Sequence, residues 1–298
     1  MKRRYRIAAA QYPIDWLGSW DAYAAKIRRW VEDAAGQGAE LLVFPEYGAM
    51  ELASLFPPPV PSDLKAQLGA VASLAHEVAG LHTDLARQHG VFILGASLPY
   101  EVHGRFHNRA VLYGSGGGLG HQDKIVMTRF ENDQWGVHGA DALTLFDTPL
   151  GKLGVCICYD VEFPLLARAL VEAGAEVILA PSCTETLKGY WRVRVGAQAR
   201  ALENQCITVQ SPTVGAAAWS PAVDVNVGAA GVYGPPDNGF PADGVIAKGE
   251  LDRPTWLVTE IDLDRAAEVR ADGLVLNHRD WGEQVRATYQ PVAHQPLS

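Results

Sequence analysis

The sequence predicts an α/β domain in which two β-sheets pack together, with helices on the outside. Short apolar runs typical of buried strands alternate with stretches of helical periodicity. The 298 residues have 48% hydrophobic content, enough to bury a large core. No linker-like shift in composition divides the chain. We therefore expect one domain over residues 1–298, with a core over about 5–263 and a C-terminal tail, 264–298, without a clear core pattern.

The first strands and helices place a carboxylate at a strand tip. Residues 5–12 form an apolar run typical of a buried strand. Ser19 can cap the following helix, in which apolar residues recur at helical spacing as far as Ala34. Residues 41–45 then predict a second strand. Glu46 follows it directly, at the sheet edge where ligands gather in open α/β folds.

The same alternation continues to the end of the predicted core. A helical pattern opens at Ser62 and closes near Gly90, and the glycine-rich segment 114–120 reads as a hairpin loop because it lacks phosphate-loop spacing. Two further helices are predicted from Pro164 to Gly174 and over 190–202. The remaining predicted strands are 91–98, 108–113, 143–146, 152–158, 176–181, 206–210 and 256–261.

The net charge argues against two classes of partner, and the cysteine count argues against a disulfide framework. The formal net charge of −9 argues against nucleic acid or an anionic membrane surface as the main partner. No uncharged stretch approaches the length of a transmembrane helix. Four cysteines are too few for a disulfide framework in a chain of this length. We expect free thiols in a reducing, cytoplasmic setting.

Cys158 is placed to act as a nucleophile, at the end of an apolar strand and before a turn and Pro164. A buried, inert thiol is the commoner fate of a single strand cysteine. Cys156 would share its strand face, and a Cys-x-Cys pair can bind a metal. However, Cys183 and Cys206 form no second pair, and no histidine lies at ligand spacing, so no metal site is expected.

Glu46 and Lys124 lie in similar contexts. A carboxylate after an apolar strand is half-buried, which raises its pKa toward the range useful for a general base. Lys124 precedes Ile125, and an ammonium among apolar residues can face a developing oxyanion. Each residue alone is more simply explained as a surface charge. Glu131, seven residues after Lys124, can form a salt bridge with it or pair with Arg129.

Taken together, these segments resemble the nitrilase, or carbon–nitrogen hydrolase, superfamily. The order of the motifs, Glu then Lys then Cys, is that of the family, and the resemblance covers about residues 5–261. Further matches are the N-terminal strand 8–12 and the helix 199–204, which is similar to the family's Arg-Ala-x-Glu-Asn helix. The main motifs are Phe44-Pro45-Glu46-Tyr47, Asp123-Lys124-Ile125 and the run 154–164 around Cys158.

The resemblance implies a fold and a set of roles. The fold is an α-β-β-α sandwich of two packed mixed sheets with outer helices, which forms a homodimer or a higher homo-oligomer through helical faces. The composition of the tail 264–298 separately suggests that it packs on a partner subunit at an oligomer interface or is partly disordered. Cys158 is the nucleophile, Glu46 the general base and acid, and Lys124 the stabiliser of the oxyanion. Glu131 positions the substrate or Lys124, and the Tyr159 N–H is a second oxyanion donor. No metal or organic cofactor is implied.

Two features of the family resemblance disagree about the substrate. Tyr159-Asp160, beside the nucleophile, is typical of amide-cleaving branches, where nitrilases have Trp-Glu. The segment 124–139 is similar to the nitrile-cleaving branch, although Met127 and Asn132 depart from it. The residue beside the nucleophile touches the reacting centre, so we expect hydrolysis of a small amide to an acid and ammonia or an amine, through a thioester. The residues at nitrilase spacing are Thr128, Glu131, Trp135, Gly136 and Gly139.

Several alternatives remain open at this level. The same residues suit a nitrilase, an acyl transferase, an N-carbamoyl amino-acid hydrolase in which Arg192 and Arg194 bind the carboxylate, or a non-catalytic metabolite-binding relative. The partner is in each case a small molecule. The expected substrate-binding residues are Tyr47, Trp135, Tyr159 and Cys183.

Overall fold

A computed structural model of the protein describes residues 3–297 and shows strands and helices in alternation. The strands are β1 Arg4–Pro13, β2 Leu41–Val43, β3 Phe92–Leu94, β4 Leu98–Val102, β5 Arg105–Tyr113, β6 Leu119–Asp123, β7 Leu145–Thr148, β8 Gly151–Val155, β9 Val177–Ser182, β10 Ile207–Ala216, β11 Val225–Asn226, β12 Gly231–Tyr233, β13 Val245–Lys248 and β14 Thr255–Asp262. The helices are α1 Trp20–Gly36, α2 Ala66–Ala72, α3 Ala75–His89, α4 Pro164–Glu172, α5 Leu187–Asn204, α6 Leu263–Asp272, α7 Asn277–Asp280 and α8 Val285–Thr288.

The strands form two sheet halves that meet at one junction. The first half has β14, β1 and β2 side by side, then β3 and β4 along β5, then β6. The second half runs β7-β8-β9-β10-β12-β13. They join where Tyr12 pairs with Thr213 in parallel. Ser211 Oγ stabilises the junction by donating to the carbonyls of Ala10 and Val43, at 2.9 and 2.8 Å.

The two halves pack face to face, and helices cover both outer faces. The side chains of β1 show this directly, because they point alternately to the two faces of the sheet. Ile7 and Ala9 lie in the apolar cluster shared with the second half. Ala8 and Ala10 lie in the cluster that includes α1 and α3. In the second half Gly154 faces α4, where a Cβ would stand 2.9 Å from Leu170 Cδ1. The predicted α-β-β-α sandwich is confirmed.

The structure differs from the sequence expectation between residues 60 and 90. The predicted continuous helix is a short 3-10 turn followed by α2 and α3. Asp63 caps α2, since its Oδ1 accepts from the N–H groups of Lys65 and Ala66 at 2.9 Å. Ser62 Oγ instead donates to Pro59 O. Ser73 Oγ donates to the carbonyl of Ala70, a local bond that competes with continuation of the helix.

Beyond residue 262 the chain continues to contribute to the core. Helix α6 buries Leu263, Ala266 and Val269 against it, although the sequence showed no core pattern from residue 264. The four cysteines are free thiols, as expected. Within residues 3–297, no helix combines the length and apolarity needed to cross a membrane.

Because the two sheet halves pack together, alanine substitutions at two leucines should differ greatly in their effect on the free energy of unfolding. Leu153 on β8 is 0% exposed and lies on the face opposite Gly154, against the first half. We expect Leu153→Ala to lower the free energy of unfolding by about 2–5 kcal/mol because it opens a cavity there. Leu165 on α4 is 70% exposed, so Leu165→Ala should change it by less than about 0.5 kcal/mol. Urea denaturation measures both, and equal effects would contradict the packing described.

Candidate active site

Glu46 and Cys158 lie just beyond strand ends, in two similar turns. Glu46 follows β2, and the next residue, Tyr47, has a left-handed backbone with φ of 52°. Cys158 follows β8 and is itself left-handed, with φ of 49°. This conformation is strained for residues other than glycine and recurs at functional turns. It also corrects the predicted strand 152–158, because β8 ends at Val155 and Cys158 begins a 3-10 turn.

Lys124 forms ion pairs with two buried carboxylates, those of Glu46 and Glu131. It follows β6, and its backbone N–H donates to Asn108 O at 2.9 Å. Its Nζ lies 2.8 Å from Glu46 Oε1 and 2.7 Å from Glu131 Oε2. Glu46, Lys124 and Glu131 are 1%, 1% and 2% exposed, so this pairing is screened from water.

Glu131 has further partners that fix it in place. It opens a single π-helical turn, and its carboxylate accepts from Tyr47 OH at 2.7 Å and from both the N–H and the hydroxyl of Thr128 at 2.8 Å. Arg129 pairs with Asp133 instead of Glu131. Of the two pairings considered from the sequence, the structure therefore shows the one with Lys124.

Two carboxylates, Glu46 and Glu131, share the single ammonium of Lys124, and this imbalance determines the pKa of each group. Burial raises the pKa of Glu46 to about 7, opposed by Lys124 and supported by the negative charge of Glu131. For Glu131, burial is outweighed by Lys124, Thr128 and Tyr47, so its pKa is lowered. Burial also opposes the charge on Lys124, but the two carboxylates outweigh it and raise the pKa of Lys124 well above its usual value. Near neutral pH, Lys124 and Glu131 are both charged while Glu46 can gain or lose a proton.

Cys158 lies beside Glu46 and the backbone of Cys183. Its Sγ is 3.8 Å from the Cys183 carbonyl oxygen, and the Cys183 N–H donates to Glu46 Oε2 at 2.9 Å. Burial, and then the Glu46 charge, raise the pKa of the Cys158 thiol well above its usual value. The thiol is therefore protonated at neutral pH and has a carboxylate next to it that can take the proton.

A cavity of about 650 Å³ opens above Cys158. Of the four residues predicted to bind substrate, Tyr159 and Cys183 line this cavity, whereas Tyr47 and Trp135 are not among its lining residues. Trp135 packs on Tyr47 with ring centroids 4.7 Å apart. The other walls come from the segments 128–130, 184–186 and 221–225, with Gln134, Glu162, Gly189, Arg192 and Val193.

The two arginines considered for carboxylate binding differ in position. Arg192 lines the cavity, but its guanidinium is already paired with Glu162. Arg194 lies away from it, where it donates to Tyr190 OH at 3.1 Å and stacks over Trp191. A substrate carboxylate at Arg192 would have to compete with Glu162.

Two polar residues that organise the site were missed from the sequence. Asn108 Nδ2 donates to Glu46 Oε1 at 2.9 Å, and its Oδ1 accepts from Ser97 Oγ at 2.6 Å. Ser97 Oγ in turn accepts from the Tyr47 N–H at 2.8 Å. The only signal was a polar side chain at the start of the predicted strand 108–113, and nothing in the sequence linked it to Glu46.

Asp160 connects the lysine and cysteine segments. Its carboxylate accepts from the N–H groups of Val126 at 2.8 Å, Ile157 at 3.1 Å and Ile125 at 3.2 Å. Burial raises the pKa of Asp160 to about 6, against these hydrogen bonds and Lys124. The Asp160 carboxylate thus holds two backbone segments together. Within residues 3–297, no group of three or more His, Cys, Asp or Glu side chains is placed to hold a metal ion.

The fold and the site define a class, a two-sheet sandwich with a buried carboxylate and lysine beside a cysteine that lines a cavity. Residues 6–271 match the model of the carbon-nitrogen hydrolase family, and the chain belongs to that family. It is 34% identical over 275 residues to the probable hydrolase YhcX of Bacillus subtilis, which covers 92% of this chain. The chain spans only 53% of the length of YhcX.

Two further relatives match over nearly their whole length. Omega-amidase NIT2-B of Xenopus laevis is 27% identical over 281 residues, covering 90% of this chain and 92% of its own. The crystal structure of a carbon-nitrogen hydrolase from Helicobacter pylori G27 superposes with a TM-score of 0.75 at 21% identity, covering 90% of this chain and 92% of the other. The structural match supports the fold assignment alone.

Removing the shared cation should destabilise the protein in a pH-dependent way. In Lys124→Met, two buried carboxyls lose the group that lowers their pKa. Above pH 4.5, the ordinary pKa of a glutamate, the two carboxyls ionise in the unfolded chain but stay protonated in the folded variant. The stability of the variant therefore falls as pH rises. We expect a loss of about 3–5 kcal/mol near pH 8 and a smaller loss near pH 5, measured by urea denaturation.

The matched control is Lys188→Met, which removes an exposed lysine on α5. It should change stability by less than about 0.5 kcal/mol at either pH. An equal loss for Lys124→Met at both pH values would contradict the electrostatic account.

Proposed function

We propose that this carbon-nitrogen hydrolase cleaves a small amide to a carboxylic acid and ammonia or an amine, through a thioester on Cys158. The observation that carries the proposal is the placement of Cys158 at the floor of a cavity with Glu46 beside it and Lys124 bonded to Glu46. A nucleophile, a base and a fixed positive charge therefore surround one point.

The first half of the reaction forms the thioester. Glu46, with a pKa of about 7, accepts the proton of Cys158 as the sulfur attacks the amide carbonyl carbon. Negative charge develops on the carbonyl oxygen. Lys124 and the N–H of Tyr159, at the start of the 3-10 turn, offset that charge. Losing one such donor costs about 3–4 kcal/mol of transition-state stabilisation.

The second half releases the acid. Glu46, now protonated, gives its proton to the departing nitrogen, and the C–N bond breaks to leave the thioester. A water molecule that gives a proton to Glu46 then attacks the thioester carbonyl. The C–S bond breaks, and Glu46 returns that proton to the Cys158 sulfur. Glu131 takes no proton in this scheme, because its lowered pKa keeps it ionised as the permanent partner of Lys124.

An amide is the favoured substrate for two reasons. Omega-amidase NIT2-B, similar to this chain over most of its length, carries an amide activity in its name. Tyr159 and Asp160, beside the nucleophile, resemble the amide-cleaving branches. The cavity volume of about 650 Å³ suits a small molecule.

The assembly and setting of the protein are further proposals. We propose a homodimer or higher homo-oligomer in which helix α5 packs against a second copy, with residues 264–298 contributing. The support is a row of exposed apolar side chains on α5, with Leu187 48%, Trp191 47% and Val195 59% exposed. The free thiols fit a reducing, cytoplasmic setting.

Intact-protein mass spectrometry tests the covalent step. Cys158→Ala should lose amide hydrolysis by at least about 1000-fold, and the thioester adduct should disappear with it. The wild-type chain, incubated with a panel of small amides, nitriles and N-carbamoyl amino acids, should gain the mass of an acyl group from its substrate. Comparing kcat/KM for an amide and the matching nitrile then separates amidase from nitrilase.

The matched control is Cys206→Ala, which removes a buried thiol outside the cavity. It should retain hydrolysis and adduct formation. Amide hydrolysis that survives in Cys158→Ala would contradict the mechanism.

The pH dependence follows from the pKa of Glu46. Only ionised Glu46 can accept the thiol proton, so kcat/KM should fall below a pKa of about 7, by about tenfold per pH unit. The measurement is kcat/KM against pH in the wild type with a saturable amide. A profile that stays flat down to about pH 5 would show that a group with an ordinary carboxyl pKa is the base.

A further inference from the structure

Two thiols share the cavity, and the proposed reaction uses only one of them. Cys158 and Cys183 both line it. Cys156 and Cys206 are 0% exposed and are not among its lining residues. A peroxide or another small oxidant that enters the cavity therefore meets Cys158 and Cys183 together.

The contacts of Cys183 with the reacting groups are all made by its backbone. Its N–H donates to Glu46 Oε2, and its carbonyl oxygen lies 3.8 Å from Cys158 Sγ. Its own Sγ lies 3.3 Å from Oδ1 of Asn226, on β11. The side chain can therefore rotate away from Asn226 without breaking either backbone contact with Glu46 or Cys158.

The two cysteines follow neighbouring strands of one sheet. In the parallel pair β8–β9, Val155 lies opposite Leu179, and Cys158 and Cys183 come three and four residues later, beyond this pairing. Cys158 Sγ lies 3.8 Å from the carbonyl oxygen of Cys183. A disulfide requires Cα atoms about 4.4–6.8 Å apart, and this approach of one thiol to the backbone of the other cysteine is the geometric basis for a bond between them.

We propose that Cys183 is a resolving thiol for Cys158. When a peroxide oxidises Cys158, Cys183 condenses with it to form a Cys158–Cys183 disulfide that closes the site reversibly. The inference rests on the proposed function in one respect, namely that Cys158 is the reactive thiol of the cavity. It adds a modification site and a mode of regulation that hydrolysis does not require.

The chemistry balances with the peroxide as the only oxidant. The Cys158 sulfur attacks one peroxide oxygen, the O–O bond breaks, and the departing hydroxide takes the thiol proton to leave as water, which gives a sulfenic acid. The Cys183 sulfur then attacks the sulfenic sulfur, the S–O bond breaks, and a second water leaves with the Cys183 proton. Two thiols lose two electrons and the peroxide gains them.

The expected benefit is protection against irreversible oxidation. A sulfenic acid without a thiol partner is oxidised further to a sulfinic acid, which ordinary thiol reductants do not reverse. A disulfide stops this progression and is reduced by thiols. Glu46 lies beside both cysteines, because it is next to the Cys158 thiol and its carboxylate accepts from the Cys183 N–H.

Peptide mapping of the wild-type chain tests the disulfide directly. The full chain is treated with hydrogen peroxide, blocked with an alkylating agent and digested with trypsin without reduction. Cleavage after Lys152, Arg168 and Lys188 gives the peptides 153–168, with Cys156 and Cys158, and 169–188, with Cys183. We expect these two peptides to be cross-linked, with fragmentation placing the bond on Cys158. Their absence as a cross-linked pair would overturn the proposal.

Recovery of activity gives the second test. After oxidation and then dithiothreitol, the wild type and the control Cys206→Ala should regain most of the activity that each had before treatment. Cys183→Ala, compared with its own untreated activity, should stay inactive and carry a sulfinic acid on Cys158. Equal recovery in Cys183→Ala would overturn the protective role.

The two proposals can fail separately. The cross-link needs no substrate, so its formation in a chain that hydrolyses no amide would refute the amidase proposal and support the resolving thiol. An active amidase that forms no cross-link would refute the resolving thiol alone.

Discussion

The site depends on one buried ammonium that two carboxylates share. Lys124 lies 2.8 Å from Glu46 and 2.7 Å from Glu131, and all three are almost completely buried. A single positive charge can balance only one carboxylate where water is excluded. Thr128 and Tyr47 add hydrogen bonds to Glu131, so Glu131 keeps its charge and Glu46 is left to titrate near neutrality. This difference in pKa between two identical side chains suits Glu46 to the proposed role of general base.

The residues of the site lie at the ends of separate strands. Glu46 follows β2 and Lys124 follows β6 of the first sheet half, while Cys158 follows β8 of the second. Cys158 and Glu46 therefore come together only when the two halves pack, and Asp160 holds the segments together through three backbone N–H groups. This explains why buried contacts between the sheets, far from the cavity, should matter for the geometry of the site.

Much of this could be predicted from the sequence, and the remainder has identifiable reasons. The strand before Glu46 and the helix beginning at Pro164 are encoded by local periodicity and by proline, which act over a few residues. Asn108 could not be found in this way, because its bond to Glu46 joins residues 62 apart in the chain. The break between α2 and α3 depends on side-chain hydrogen bonds, which the spacing of apolar residues cannot reveal. The predicted strand 152–158 was too long, because hydrophobicity alone does not indicate the left-handed turn at Cys158.

Carbon-13 NMR of the glutamate carboxyls most directly tests the central claim, that Lys124 and Glu131 form a fixed pair beside a titrating Glu46. Signals can be assigned in the full chain with Glu46→Gln and Glu131→Gln. The account predicts that Glu46 titrates at about pH 7, whereas Glu131 stays ionised below its ordinary value of 4.5. Titration of Glu46 near 4.5, or an interchange in which Glu131 is the carboxyl that protonates near neutrality, would contradict it.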